Sequence, residues 1–196
     1  MKKTKHLLRY WFVYLLLIVS SVIGTIYYCD FINRPKNEET INLFVTSYTQ
    51  KSEPLYDYLK EKSPSYLREI NITLVNPKSA DFGYFMVNKG LNKADMFILP
   101  ESYLFDELLD NQFATLNEEV INPYFTYTTD SSNHGILLHD VGDNDNNLLQ
   151  FKSEQFTDEK FYIFYRVNSL HIGALNAKSK ADTAFLFTKY LLESYE

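Results

Sequence analysis

The sequence predicts an α/β domain, a mainly parallel sheet with helices on both faces, preceded by a single transmembrane helix. Three observations carry this expectation. Short β-rich runs alternate with amphipathic stretches, strand then helix, three times between Ile41 and Leu109, the pattern of a parallel sheet covered on both sides. An uncharged run of 20 residues, Tyr10 to Cys29, follows a basic tail. The 196 residues are 45% hydrophobic, which excludes wholesale disorder, because such a chain buries enough apolar surface to offset its ordering entropy. A single cysteine excludes an intrachain disulfide and a multi-cysteine zinc module.

The N-terminus comes first. Residues 1–9 carry Lys2, Lys3, Lys5 and Arg9 and no acid. As a helix, Tyr10 to Cys29 is about 30 Å long, the thickness of a hydrocarbon core. Tyr10, Trp11 and Tyr14 stand at one end and Tyr27 and Tyr28 at the other, as interfacial aromatic belts do. The expected organisation is a cytoplasmic basic tail (1–9), a signal-anchor helix (10–29), a tether (30–40) and an extracytoplasmic domain (41–196). Small Ser20, Ser21 and Gly24 would permit cleavage as a signal peptide. Lipidation at Cys29 is disfavoured by the bulky Tyr28 before it, so a retained single-pass anchor in the cell membrane is the preferred reading. Residues 10–196 hold fifteen basic and twenty-five acidic residues, a net of −10. No basic stripe is present to neutralise phosphates, and a nucleic-acid partner is not expected.

The outer elements follow in order. Asp30 to Thr40 is polar, contains Pro35 and lacks periodicity, which suits a tether. Ile41 to Thr46 reads as a buried strand. Pro54 opens a helix with Leu55, Tyr58 and Leu59 on one face. Ile70 to Val75 is a second strand, closed by Asn76-Pro77. Ser79 and Asp81 suit the cap of a helix carrying Phe82, Phe85 and Met86, which Gly90 and Asn92 end. Ala94 to Leu99 is a third strand, stopped by Pro100. Glu101 is expected to start a helix with Leu104, Phe105, Leu108 and Leu109 at helical spacing. Phe113 to Leu116 is short and apolar, and Asn117 to Asn133 gives no clear pattern. Ile136 to His139 and Leu148 to Phe151 read as short strands around the polar loop Asp140 to Asn147. Phe161 to Val167 reads as a strong strand. Ser179 and Asp182 form a capping box before Ala184, Phe185, Thr188, Leu191 and Leu192.

The stretch from Asp81 to Glu118 resembles the first lobe of extracellular solute-binding proteins of ABC importers. The likeness lies in a small turn at Lys93-Ala94-Asp95, a strand over Met96 to Pro100, a helix over Glu101 to Asn111 and the pair Thr115-Leu116. Phe161 to Glu193 looks like that family's late strand, an Asn168-Ser169 turn and a closing helix. The resemblance implies one reduced lobe of a periplasmic-binding-protein-like fold. It implies a small polar solute or sugar as ligand, an importer as partner, and no chemistry.

Parallel sheets bind ligands outside the carboxyl ends of their strands. That rim places Ser47, Tyr48, Glu101, Ser102 and Tyr103 as candidate ligand-binding residues, offering hydroxyls, a carboxylate and aromatic faces. The bland alternative for Glu101 and Ser102 is helix capping. In the run Asp143 to Asn147 followed by Glu154, oxygen ligands fall at positions 1, 3, 5 and 12 of a calcium-loop spacing, but Leu148 occupies the position where that loop needs glycine, and a solvated turn is preferred. His134 and His139 with Asp140 do not converge by spacing with His171 on a zinc site, and His171 is expected to pack near the Asn168-Ser169 turn. Asp106-Glu107 and Glu118-Glu119 are neighbours in sequence only. No nucleophile elbow, zinc-protease motif or phosphate loop is present. The expectation is therefore a non-enzymatic protein without metal or cofactor, partnered by the membrane, a small solute and a transporter or other surface protein. The alternative function is a docking protein with a degenerate binding lobe, and a weaker one is a metal-dependent surface enzyme using residues 134–145.

Overall fold

The computed structural model describes residues 10–48, 53–104, 106–116, 133–139, 159–173 and 181–193. It divides into two compact units, Met1–Lys36 and Asn37–Glu196. In the first, helix α1 (Trp11–Asn33) is long and apolar enough to cross a membrane. It runs four residues beyond the expected Cys29. Asp30 accounts for the extension, since its carboxylate takes an i,i+4 ion pair from Arg34 at 2.7 Å. Arg34 then turns extended because the following Pro35 crowds the helical conformation. Within α1 the hydroxyls of Ser20 and Thr25 donate to the carbonyls of Leu17 and Ser21, so neither is left unsatisfied in an apolar surround.

The second unit opens with a 3-10 turn, Asn37–Glu39, and strand β1 (Thr40–Thr46). Helix α2 (Glu53–Lys62), strand β2 (Glu69–Val75), helix α3 (Phe82–Phe85), strand β3 (Met96–Pro100) and helix α4 (Asp106–Gln112) follow. Strands β4 (Gly135–His139) and β5 (Phe161–Tyr165) and helix α5 (Thr183–Glu193) complete the described elements. Helix α3 continues into a π-helical turn, Met86–Leu91. The wider turn brings Gly90 against two rings. A Cβ there would lie 3.1 Å from Phe97 and 3.3 Å from Phe44.

The sheet order is β2-β1-β3-β5-β4. β1 pairs parallel with β2 and with β3, as the alternating pattern requires. β5 runs antiparallel to both β3 and β4. The sheet is thus mixed, and the expected mainly parallel sheet is corrected. The cause is legible in β5 itself. All five of its residues are buried, and a strand buried on both faces reads as a continuous apolar run whichever way it points.

Helices cover both faces, as expected. On one face Leu43, Val45, Ile98 and Ile163 pack with Leu55 and Leu59 of α2 and Phe185 and Leu191 of α5. On the other, Phe44, Phe97 and Phe164 pack with Phe82, Met86 and Leu109. On that side Phe113 meets Phe97 edge-on and stacks on Phe164, with centroids 5.0 and 4.8 Å apart. Removing one such ring costs about 3–5 kcal/mol. Gly135 pairs with Phe164, whose ring occupies the space a Cβ would fill. Gly173 has a positive φ of 53° and lies against Asp182, so a side chain there is excluded both by backbone and by contact.

Two boundaries differ from expectation. Glu101 begins a 3-10 turn (Glu101–Tyr103), and α4 starts only at Asp106. Leu104 is extended between them. Pro100 ends β3 rather than stopping the chain before it, in register with Phe161 of β5. It sits past the last β1 pair, Val45 with Ile98, where a missing N–H leaves no ladder bond unmade. The expected strand 148–151, the loop 140–147 and the stretch 117–132 lie outside the described residues.

Candidate functional site

The amino ends of the strands are tied by one carboxylate. Asp95, just before β3, accepts from the backbone N–H of Asn42 at 2.9 Å, its carboxamide at 3.2 Å and the Ser169 hydroxyl at 2.7 Å. The Ser169 hydroxyl also accepts from the backbone N–H of His171 at 3.1 Å, so His171 packs by the Asn168-Ser169 turn as expected. Its buried ring sets Nε2 2.7 Å from the Thr40 carbonyl and 3.2 Å from that of Asn37. Two carbonyl acceptors at one nitrogen fix the proton on Nε2. An open cleft of about 440 Å³ lies at this end, lined by Asn37, Asn42, Lys93 and Asp95 among others.

The carboxyl ends of β1, β2 and β3 lie at the opposite edge. From β1 the chain moves one way to β2 and then back past β1 to β3. The reversal falls between β1 and β3, the place where open α/β sheets leave a crevice for ligands. Four of the five rim residues take up distinct roles there. Ser47 is fully buried, its N–H donating to the Val75 carbonyl at 3.1 Å, so it joins β1 to β2 beneath the rim. Tyr48 is half-buried and sets its ring edge-on to Phe161 at 6.3 Å. Ser102 is exposed, and Tyr103 donates to the Pro77 carbonyl at 2.5 Å while its ring lies 4.5 Å from Phe82. The fifth, Glu101, is exposed, with its N–H donating to the Lys160 carbonyl at 2.9 Å.

Two of these side chains, Tyr48 and Ser102, meet on a residue absent from the predicted set, Glu159. The Tyr48 phenol donates to one of its oxygens at 2.8 Å. The Ser102 hydroxyl donates to the other. Glu159 comes to this edge because β5 runs antiparallel to β3, so its entry lies beside the exits of the parallel strands. Had the strand been parallel, its first residues would sit at the other end of the sheet. The missed residue and the mistaken strand direction are one error.

No protein-family model matches the chain, nor does any curated protein or solved structure. The site is therefore read from its own geometry. Burial, then the hydrogen bond and charge of Glu159, raise the Tyr48 phenol well above its usual range. Burial and the same charge raise Tyr103. Both phenols are held neutral as donors, and both rings present aromatic faces. Among the described residues no cationic group forms an ion pair with Glu159. Chemically, the cluster offers a carboxylate held by two hydroxyls, a second exposed carboxylate at Glu101 and two aromatic rings.

His134 and His171 do not join it. His134 is buried, with Nε2 3.3 Å from the Thr115 hydroxyl, and His171 lies at the amino ends of the strands. Among the described residues no group of three or more His, Cys, Asp or Glu could hold a metal ion. The stretch Asp143 to Glu154 and the pair Glu118-Glu119 lie outside the described residues.

Proposed function

We propose that residues 37–196 form an extracytoplasmic binding domain that takes a small polar solute or sugar at the β1/β3 crevice. In this reading the chain is a reduced solute-binding-protein-like lobe, held to the cell by α1 as a single-pass anchor and accessory to an importer. It binds and does no chemistry. The observation that carries the reading is the convergence of Tyr48 and Ser102 on Glu159 at a topological switch point. A carboxylate that pairs with no cationic group among the described residues attracts groups that donate, hydroxyls and ammonium groups in particular, and tyrosine rings beside it suit the apolar face of a sugar or a cation.

The test is thermal unfolding of the full chain in detergent against sugars, amino acids, short peptides and divalent metals. A ligand that binds only the folded state adds about 2.7 kcal/mol at a hundredfold excess over its dissociation constant, a shift of about 5–10 °C here. Glu159→Gln and Tyr48→Phe should abolish that shift while the unliganded protein still melts cooperatively. A flat panel on the folded protein overturns the reading and leaves the docking function in its place.

A further inference from the structure

We propose that β2 is a dimerisation edge: two copies of this chain pair their β2 strands antiparallel about a twofold axis at Thr73, joining two five-stranded sheets into one. The inference stands apart from the solute site, which lies between β1 and β3.

Among the described residues β2 is the outermost strand of the sheet and pairs with β1 alone. The two sides of its backbone can be assigned. The Val75 carbonyl accepts from Ser47 N–H on the β1 side. N–H and C=O of a strand residue point the same way and alternate along the strand. Val75, Thr73 and Asn71 therefore face β1, and Leu74, Ile72 and Ile70 present their backbone groups outward. Ile70 is only 4% exposed, so its groups are out of reach. At the other end the Asn76 carbonyl is taken by Ser79 N–H at 2.9 Å. Ile72 and Leu74 remain, each half-buried, with one donor and one acceptor facing out.

Their midpoint is Thr73. A twofold axis there sets Ile72 against Leu74 of the second copy and Leu74 against its Ile72. Both are hydrogen-bonded pairs of an antiparallel ladder, and together they satisfy all four outward groups on each copy. The side chains agree with that register. Thr73 meets Thr73, a favourable cross-strand pair, and Ile72 meets Leu74. Residues 70–76 contain no charge, so no like charges oppose each other. Several devices that usually protect an edge are absent from the paired part of β2. β2 has seven residues in unbroken register with β1, no bulge, no proline and no lysine. Beside it lies an open cleft of about 540 Å³, lined by Thr73, Val75, Asn76, Ser79, Asp81 and Phe85. An added strand would place alternate side chains in that cleft. A second copy fits this edge because the free groups are confined to Ile72 and Leu74, symmetric about an uncharged Thr73, so that a single register satisfies all of them on both copies, as an isologous interface demands.

The experiment uses the full chain in detergent, with Cys29→Ser as background. Thr73→Cys should give a disulfide-linked dimer on mild oxidation, because opposed residues in a non-hydrogen-bonded pair have close Cβ atoms. Asn71→Cys should not, since Asn71 faces Val75 of the second copy. Thr73→Lys sets two like charges opposite each other and should weaken the dimer at least about fivefold by light scattering, with unchanged circular dichroism. Thr73→Ser should leave it intact. A chain that is monomeric throughout and gives no Thr73→Cys cross-link overturns the proposal. So does a dimer that survives Thr73→Lys, which is held elsewhere. A monomer that takes up an added extended peptide along β2 assigns the edge to a foreign strand and overturns the dimer too.

Discussion

Tyr165 shows how a single buried hydroxyl couples the fold to pH. It is fully buried in β5, with its phenol 2.5 Å from the Thr188 hydroxyl of α5. Thr188 in turn donates to the Ala184 carbonyl at 3.0 Å, so the phenol is the donor to Thr188. Burial raises its pKa well above the usual range, opposed in smaller part because the Thr188 hydroxyl can turn to donate to the phenolate once the proton is lost. The folded state therefore keeps the neutral phenol where the unfolded chain ionises, near pH 10. Below that pH both states hold the proton and the contribution to stability is complete. Above it the unfolded chain binds fewer protons, and stability falls by about 1.4 kcal/mol per pH unit. Tyr48 and Tyr103 shift in the same direction and steepen the loss, screened by their exposure. Urea unfolding at pH 8 to 11 should show the decline begin near pH 10. In Tyr165→Phe the decline should be shallower, with about 1 kcal/mol lost at neutral pH. An unaltered slope in that variant would refute the assignment.

At the scale of elements, Asp95 fixes where three strands begin and end. Its side chain holds Asn42 of β1 and Ser169 after β5, while its own N–H donates to the Asn42 carbonyl at 2.7 Å and its carbonyl accepts from Arg166 N–H at 2.9 Å. Asp95→Ala removes three charge-assisted hydrogen bonds beside an open cleft. The expected cost is about 2–3 kcal/mol, or a melting point about 4–12 °C lower, read by calorimetry. Asp95→Asn should retain part of that stability, and an unchanged melting point for the alanine variant would show that water replaces the carboxylate. Elements of this kind differ in how far they can be read from sequence. β1, β2 and β3 are legible because each apolar run is bounded by polar or proline residues and separated by amphipathic stretches. The direction of β5 is not, because FYIFY is apolar on both faces and carries no sign of its neighbours. Glu159 was missed for that reason alone. Tyr48, Ser102 and Tyr103 could be placed at the rim from sequence because the carboxyl ends of β1 and β3 are fixed once those strands are placed. The start of α4 was misplaced because acids at Glu101 suit a 3-10 turn as well as a helix.

At the scale of the whole molecule, the charge distribution sets the orientation we propose for the chain. Four basic residues and no acid precede α1, while the remainder carries a net charge of −10. Short basic flanks stay on the cytoplasmic side, so the acidic unit should face outward. The 23 residues of α1 span about 34 Å as a helix, enough to cross a bilayer with modest tilt. By length and composition α1 is a candidate to cross a bilayer. The chain should therefore remain in the membrane fraction after high-salt and carbonate washes and leave it only with detergent. Protease added to intact cells should remove an epitope at the C-terminus and spare one at the N-terminus. Intact-mass measurement of the membrane-bound form should still include residues 1–9. Release of a shorter chain into the medium would instead identify α1 as a cleaved signal sequence. In that case the dimer proposed through β2 would have to form without the local concentration that a shared membrane provides. Measuring its dissociation constant on the released chain would separate the strength of the edge itself from the contribution of the anchor.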